Sequence, residues 1–128
     1  MPLTTEQQQV LEETSAVFTA TLLSDKTDPD STISSANLSS LTLTLYDKCT
    51  GTILNSRENQ NVLNANNCTV DVNGLFTWNI QADDNQIVST TLDAGEYEEH
   101  VGLLTWVWSS GQGREEILLR VQQLDKVS

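Results

Sequence analysis

Apolar positions recur with a period of two along most of this chain. Leu41, Leu43 and Leu45 alternate with Thr42, Thr44 and Tyr46, which puts three leucines on one face of an extended strand. Phe18, Ala20 and Leu22 alternate with Thr19 and Thr21 and predict an earlier strand over about 16–23. Cys68, Val70 and Val72 share a face, Asn73-Gly74 interrupts, and Phe76, Trp78 and Ile80 form the inward set of a return strand. An Asn-Gly pair between two alternating runs is a strong hairpin signal. Glu98 to Trp108 predicts the longest strand, apolar on both faces. Val101, Leu103 and Val107 lie on one side, and Gly102, Leu104, Trp106 and Trp108 on the other. A last strand over Glu116–Gln122 turns Ile117, Leu119 and Val121 inward.

The connections carry turn chemistry. Residues 25–31 form a polar loop with three aspartates, but the glycine and the terminal glutamate of a calcium-binding EF-hand loop are missing, so a solvated turn is expected. Asp47–Gly51 turns the chain into a short return strand at Thr52–Leu54. Residues 55–67 hold seven Asn or Gln and predict a long connection with a bulged or edge strand near Val62. Residues 82–88 suit a single helical turn capped by their own acids.

Residues 1–15 follow a different rule. Thr4 or Thr5 can cap a helix with Gln7 or Gln8 completing the box, and Leu3, Val10 and Leu11 fall on one narrow helical face. A short N-terminal helix or arm is expected, leaning on the domain or docking on a neighbouring subunit. The folded domain is placed at 16–124, with 125–128 as a tail. About seven short strands separated by turns describe an immunoglobulin-like antiparallel β-sandwich, with a jelly roll or small barrel as the alternative. Asp93-Ala94-Gly95-Glu96-Tyr97 is similar to the corner leading into a late strand of immunoglobulin domains, where the tyrosine hydroxyl bonds back to nearby backbone. Tyr97 is therefore a structural-corner residue. Antibody domains place a cysteine two residues later, and here Glu99 stands there.

Composition narrows the partners. The 128 residues include 18 Asp+Glu and 6 Lys+Arg, a formal net charge of −12. Phosphate recognition needs clustered Lys or Arg, which this chain lacks, so nucleic acid and anionic membranes are poor partners. No apolar run approaches the roughly 20 residues that cross a bilayer. Ser, Thr, Asn and Gln total 47 residues, with Thr the commonest, which again favours strands. Cys49 and Cys68 read as free thiols, and with the single His100 they make no zinc-ligand pattern and imply no metal or other cofactor.

Catalytic chemistry finds little support. No G-x-S-x-G elbow or phosphate-binding glycine loop is present. The acid pairs Glu12/Glu13, Asp83/Asp84, Glu98/Glu99 and Glu115/Glu116 are adjacent in sequence, and neighbours on a strand point to opposite faces. They read as a solvated acidic rim around a core of Leu, Val, Ile, Phe and Trp. Tryptophan is enriched at the energetic centres of interfaces, which makes Trp106 and Trp108 candidate interface residues beside Leu3, Val10 and Leu11.

Several of these motifs together resemble a family. The run Leu41–Asp47 with Thr50-Gly51-Thr52-Ile53, then Arg57 and Gln60–Asn64, is similar to small proteins encoded by tailed bacteriophages. Gly74–Trp78, Asp84-Asn85 with Ile87, Glu96–His100 and Trp106-Val107-Trp108 extend the resemblance over about 16–124. It implies a non-enzymatic, immunoglobulin-like virion protein encoded among head and neck genes, present in the virion and in host cytoplasm during assembly. A capsid decoration or cement subunit is the first expectation, bound to the major capsid protein or to copies of itself. A neck, tail or baseplate component is the second. A sugar-binding adhesion module stacking glycans on Trp106 or Trp108 is a third.

Overall fold

The computed structural model describes residues 4–11, 14–24, 28, 30–88 and 96–122, with side chains from residue 14 onward. Among the described residues, eight strands build two sheets. They are β1 (Thr4–Leu11), β2 (Ala16–Thr21), β3 (Leu38–Asp47), β4 (Gln60–Asn61), β5 (Cys68–Val70), β6 (Leu75–Ile80), β7 (Tyr97–Trp108) and β8 (Gly111–Gln122). One sheet runs β1-β8-β7-β3-β4 and the other β2-β6-β5. Every pairing is antiparallel except β1 with β8. The β2-β6-β5 layer facing the β8-β7-β3 strands of the other makes the immunoglobulin-like sandwich.

The N-terminal expectation needs correcting. Thr4–Leu11 is a strand, held in parallel register from Thr4 opposite Glu115 to Leu11 opposite Gln122. The local capping signal loses because β8 presents a free edge, and eight residues of ladder outweigh one marginal helical turn. Val10 and Leu11 therefore sit in this ladder, in the chain's own sheet, while Leu3 lies outside the described residues.

Between the sheets the period-two pattern holds. Leu41, Leu43, Leu45, Leu104, Trp106, Ile117 and Leu119 from one layer meet Phe76, Trp78 and Ile80 from the other, all fully buried. Each such side chain contributes about 1.5–3 kcal/mol through removal from water. Gly102 interrupts β7 where the Trp78 indole crosses it. A β-carbon there would lie 3.4 Å from Trp78 Cζ3 and 3.5 Å from Leu43 Cδ1, in ordinary van der Waals contact with the ring and the leucine.

The β5–β6 hairpin forms as predicted, with Cys68 opposite Trp78 and Val70 opposite Phe76. Its loop is longer than a two-residue Asn-Gly turn. Of the Asn73-Gly74 pair only Gly74 has positive φ, +82°, and its N–H bonds the Asp71 carbonyl at 3.1 Å. Val72 thereby enters the turn and is exposed, instead of sharing the inward face with Val70. A β-carbon on Gly74 would lie 2.7 Å from the Ile33 carbonyl oxygen. Left-handed strain and this backbone clash together predict that Gly74→Ala costs about 2–4 kcal/mol. Urea denaturation measures it, and a loss below 0.5 kcal/mol, roughly the cost of an ordinary surface change, defeats the prediction.

Candidate functional site

Four acids expected on a solvated rim are instead buried: Asp47, Asp84, Glu98 and Glu115. Strand alternation still separates the adjacent pairs, since Glu99 and Glu116 are half-buried on the opposite face. The expectation failed on which member faces inward. Three of the four lie in two polar clusters.

The first cluster secures the long Asn-rich connection. Arg57 is 1% exposed and all five of its N–H donors are used. Nε donates to Asp84 Oδ1 at 2.6 Å and Nη2 to Asp84 Oδ2 at 3.1 Å, a bidentate fork. The remaining donors reach Gln60 Oε1, the Asn66 carbonyl and Asn67 Oδ1. Asp84 also accepts from Asn55 Nδ2 and from the Gln81 N–H that opens a 3-10 turn over Ala82–Asn85. The guanidinium lies 5.7 Å from the Trp78 ring centroid. Around it, Asn55, Ser56, Asn59, Asn64, Asn66 and Asn67 all have positive φ. Asparagine tolerates that conformation, which gives the Asn-rich composition its physical reason. Cys68 packs nearby as a buried free thiol, and burial pushes its pKa up to about 12. Cys49 is an exposed free thiol.

The second cluster sits where β3 ends beside the start of β7. Asp47 lies opposite His100 across the ladder, and Glu98 shares their inward face. His100 Nε2 lies 2.6 Å from Glu98 Oε2, which also accepts the Val88 N–H at 2.8 Å. Asp47 Oδ2 accepts from the Thr50 N–H and hydroxyl at 3.0 and 2.7 Å. The phase of β7 carried a signal for this, because Glu98 and His100 continue the inward series Gly102, Leu104, Trp106.

The outer faces differ in charge. On the β2-β6-β5 sheet the outward residues are Val17, Thr19, Thr21, Thr69, Leu75, Thr77 and Asn79, none of them charged. Thr19, Thr77 and Thr69 form one row across the three strands. Val17 and Leu75 are 58% and 40% exposed. The other sheet carries Glu99, Arg114, Glu116 and Arg120 outward, with Arg120 stacked 4.4 Å from the Tyr97 ring centroid. A pocket of about 330 Å³ on that side is lined by Thr105, Gln112, Gly113 and Arg114, and lacks the apolar walls of a small-molecule site.

The predicted interface residues fare unevenly. Trp106 is fully buried in the core and is no surface residue. Trp108 is half-buried, with Gly111 against its ring. Tyr97 opens β7 opposite Gln122, while Asp93-Ala94-Gly95 of its corner lie outside the described residues. Of the residues in the phage-like motifs, Leu41, Leu43, Leu45, Phe76, Trp78 and Trp106 fall in the core, Arg57 pairs with Asp84, Gly74 turns the chain, and Glu98 and His100 belong to the second cluster.

No protein-family model and no curated protein matches this chain. Among solved structures, the crystal structure of the titin M3 domain is similar over 94% of this chain and 91% of that one, at 11% identity and a TM-score of 0.39.

Proposed function

We propose that this chain is a non-enzymatic structural subunit of a bacteriophage particle, decorating the capsid and docking on the major capsid protein through the outer face of the β2-β6-β5 sheet. The motif resemblance supplies the setting. The observation that carries the docking face is its lack of charge on a chain of net charge −12. A carboxylate brought into an interface must be paired or pay for desolvation, and the described strand residues of this face bring none. Its threonine rows and the exposed Val17 and Leu75 offer flat apolar and hydroxyl contact. Many copies on a lattice multiply weak contacts of this kind. The backbone of the N-terminal strand and the Trp106 ring are committed to the chain's own fold, which favours this face for docking. Burial of Trp106 also leaves the sugar-binding reading with Trp108 as its remaining stacking platform.

Thr19→Glu with Thr77→Glu puts two carboxylates into the centre of the face while leaving the core untouched. Incorporation into particles is expected to fall at least about tenfold, since unpaired charge in an interface costs several kcal/mol, while the two facing carboxylates lower the melting temperature by no more than about 5 °C. Wild-type incorporation by the double variant overturns the docking face. Cryo-electron microscopy of purified particles tests the setting. Hundreds of copies on the head support decoration, a single ring at the neck or tail supports that position, and absence from particles overturns the reading.

A further inference from the structure

The Asp47–Glu98–His100 cluster has a composition and a set of unmet bonds that hydrophobic packing does not explain. The three residues are 2%, 7% and 0% exposed. One donor atom from each lies within 4.8 Å of the other two. Glu98 Oε2 already accepts the Val88 N–H, so the proton between it and His100 belongs to Nε2. In the neutral ring that tautomer leaves Nδ1 as a bare lone pair. His100 Nδ1 has no hydrogen-bond partner, and neither has Asp47 Oδ1, although Thr50 satisfies Asp47 Oδ2. Two buried acceptors in one cluster, both without a donor, call for positive charge.

We propose that Asp47 and His100, with Glu98 behind the imidazole, hold a divalent transition-metal cation of the zinc type, water completing its shell. His100 Nδ1 and Asp47 Oδ1 are the principal donors, and two carboxylates balance the charge of a dication in a dry site. An imidazole donor favours zinc over magnesium or calcium, which prefer all-oxygen shells. The Nε2–H bond to Glu98 is the carboxylate–imidazole arrangement that orients metal-binding histidines. Tetrahedral donors about 2.1 Å from zinc stand about 3.4 Å apart, so the side chains must draw together around the ion. The ion would tie β3 to β7, stabilising the sandwich by mass action.

The test uses tag-free protein stripped with EDTA and titrated with Zn²⁺, Mg²⁺ and Ca²⁺. Calorimetry is expected to show one saturable equivalent of Zn²⁺ with a rise in melting temperature, and neither effect with Mg²⁺ or Ca²⁺. His100 is the single histidine, so its ring ¹⁵N resonances report the site in the unmodified chain. Zn²⁺ is expected to shift Nδ1 while Nε2 keeps its proton. Asp47→Asn and His100→Gln should each weaken binding at least tenfold, and if either fails to fold, the ring resonances of the intact chain decide. A folded chain that takes up no Zn²⁺ overturns the proposal. So does uptake that leaves the His100 resonances unmoved, which places the ion on surface acids or Cys49.

Discussion

Replacing Arg57 with methionine is expected to cost about 3–5 kcal/mol of stability, the largest effect of any single charge removal in this domain. The substitution keeps most of the volume but strands Asp84, which is fully buried and takes both arms of the guanidinium. Gln60, Asn66 and Asn67 lose their donor as well, and with it the contact that gathers residues 55–67. Arg57→Lys keeps the charge and still forfeits the fork, so it should recover only part of the loss. The pair itself need not be worth that much. Removing Asp84 together with Arg57 is expected to cost less than Arg57→Met alone, because no buried charge is then left uncompensated. Urea denaturation of the three variants at neutral pH decides the matter. A loss below 1 kcal/mol in Arg57→Met, or a double variant worse than the single, contradicts the account.

Trp78→Ala is expected to cost about 3–5 kcal/mol, by opening a cavity between the sheets and removing the ring beneath Arg57. For a domain this size that corresponds to a fall of about 10–20 °C in melting temperature. The indole packs against β7 at Gly102, with Leu43 and Ile117 also bordering the glycine. The rigid β7 backbone cannot collapse into the gap. Trp78→Phe retains most of the packing and should cost less than half as much. A melting temperature within 3 °C of wild type for the alanine variant would show that the sheets close over the site.

These two residues also mark what local sequence can and cannot disclose. Trp78 was legible as an inward residue because Phe76 and Ile80 flank it at a spacing of two. The leucines of β3 and the inward set of β8 were legible for the same reason. Arg57 and Asp84 stand 27 residues apart, and neither has a neighbour that betrays burial. Their pairing exists only once the connection is wrapped against the 3-10 turn. The N-terminal strand was invisible for a different reason. Thr4–Leu11 has no period-two apolar alternation, and its pairing is written in backbone hydrogen bonds that any side chains can make. Glu98 and His100 fall between these cases, since the phase of β7 marks them as inward but not what they meet there.

The parallel pairing of β1 with β8 determines how the domain carries load. Because the two strands run the same way, a pull on the chain before Thr4 and after Gln122 acts along the ladder in opposite senses. The bonds between them are then loaded in shear, all together over about 26 Å, and cannot be unzipped one at a time from an end. An antiparallel hairpin pulled at its open end would peel bond by bond. Tension along the chain is therefore met by the whole β1–β8 seam before it reaches the core.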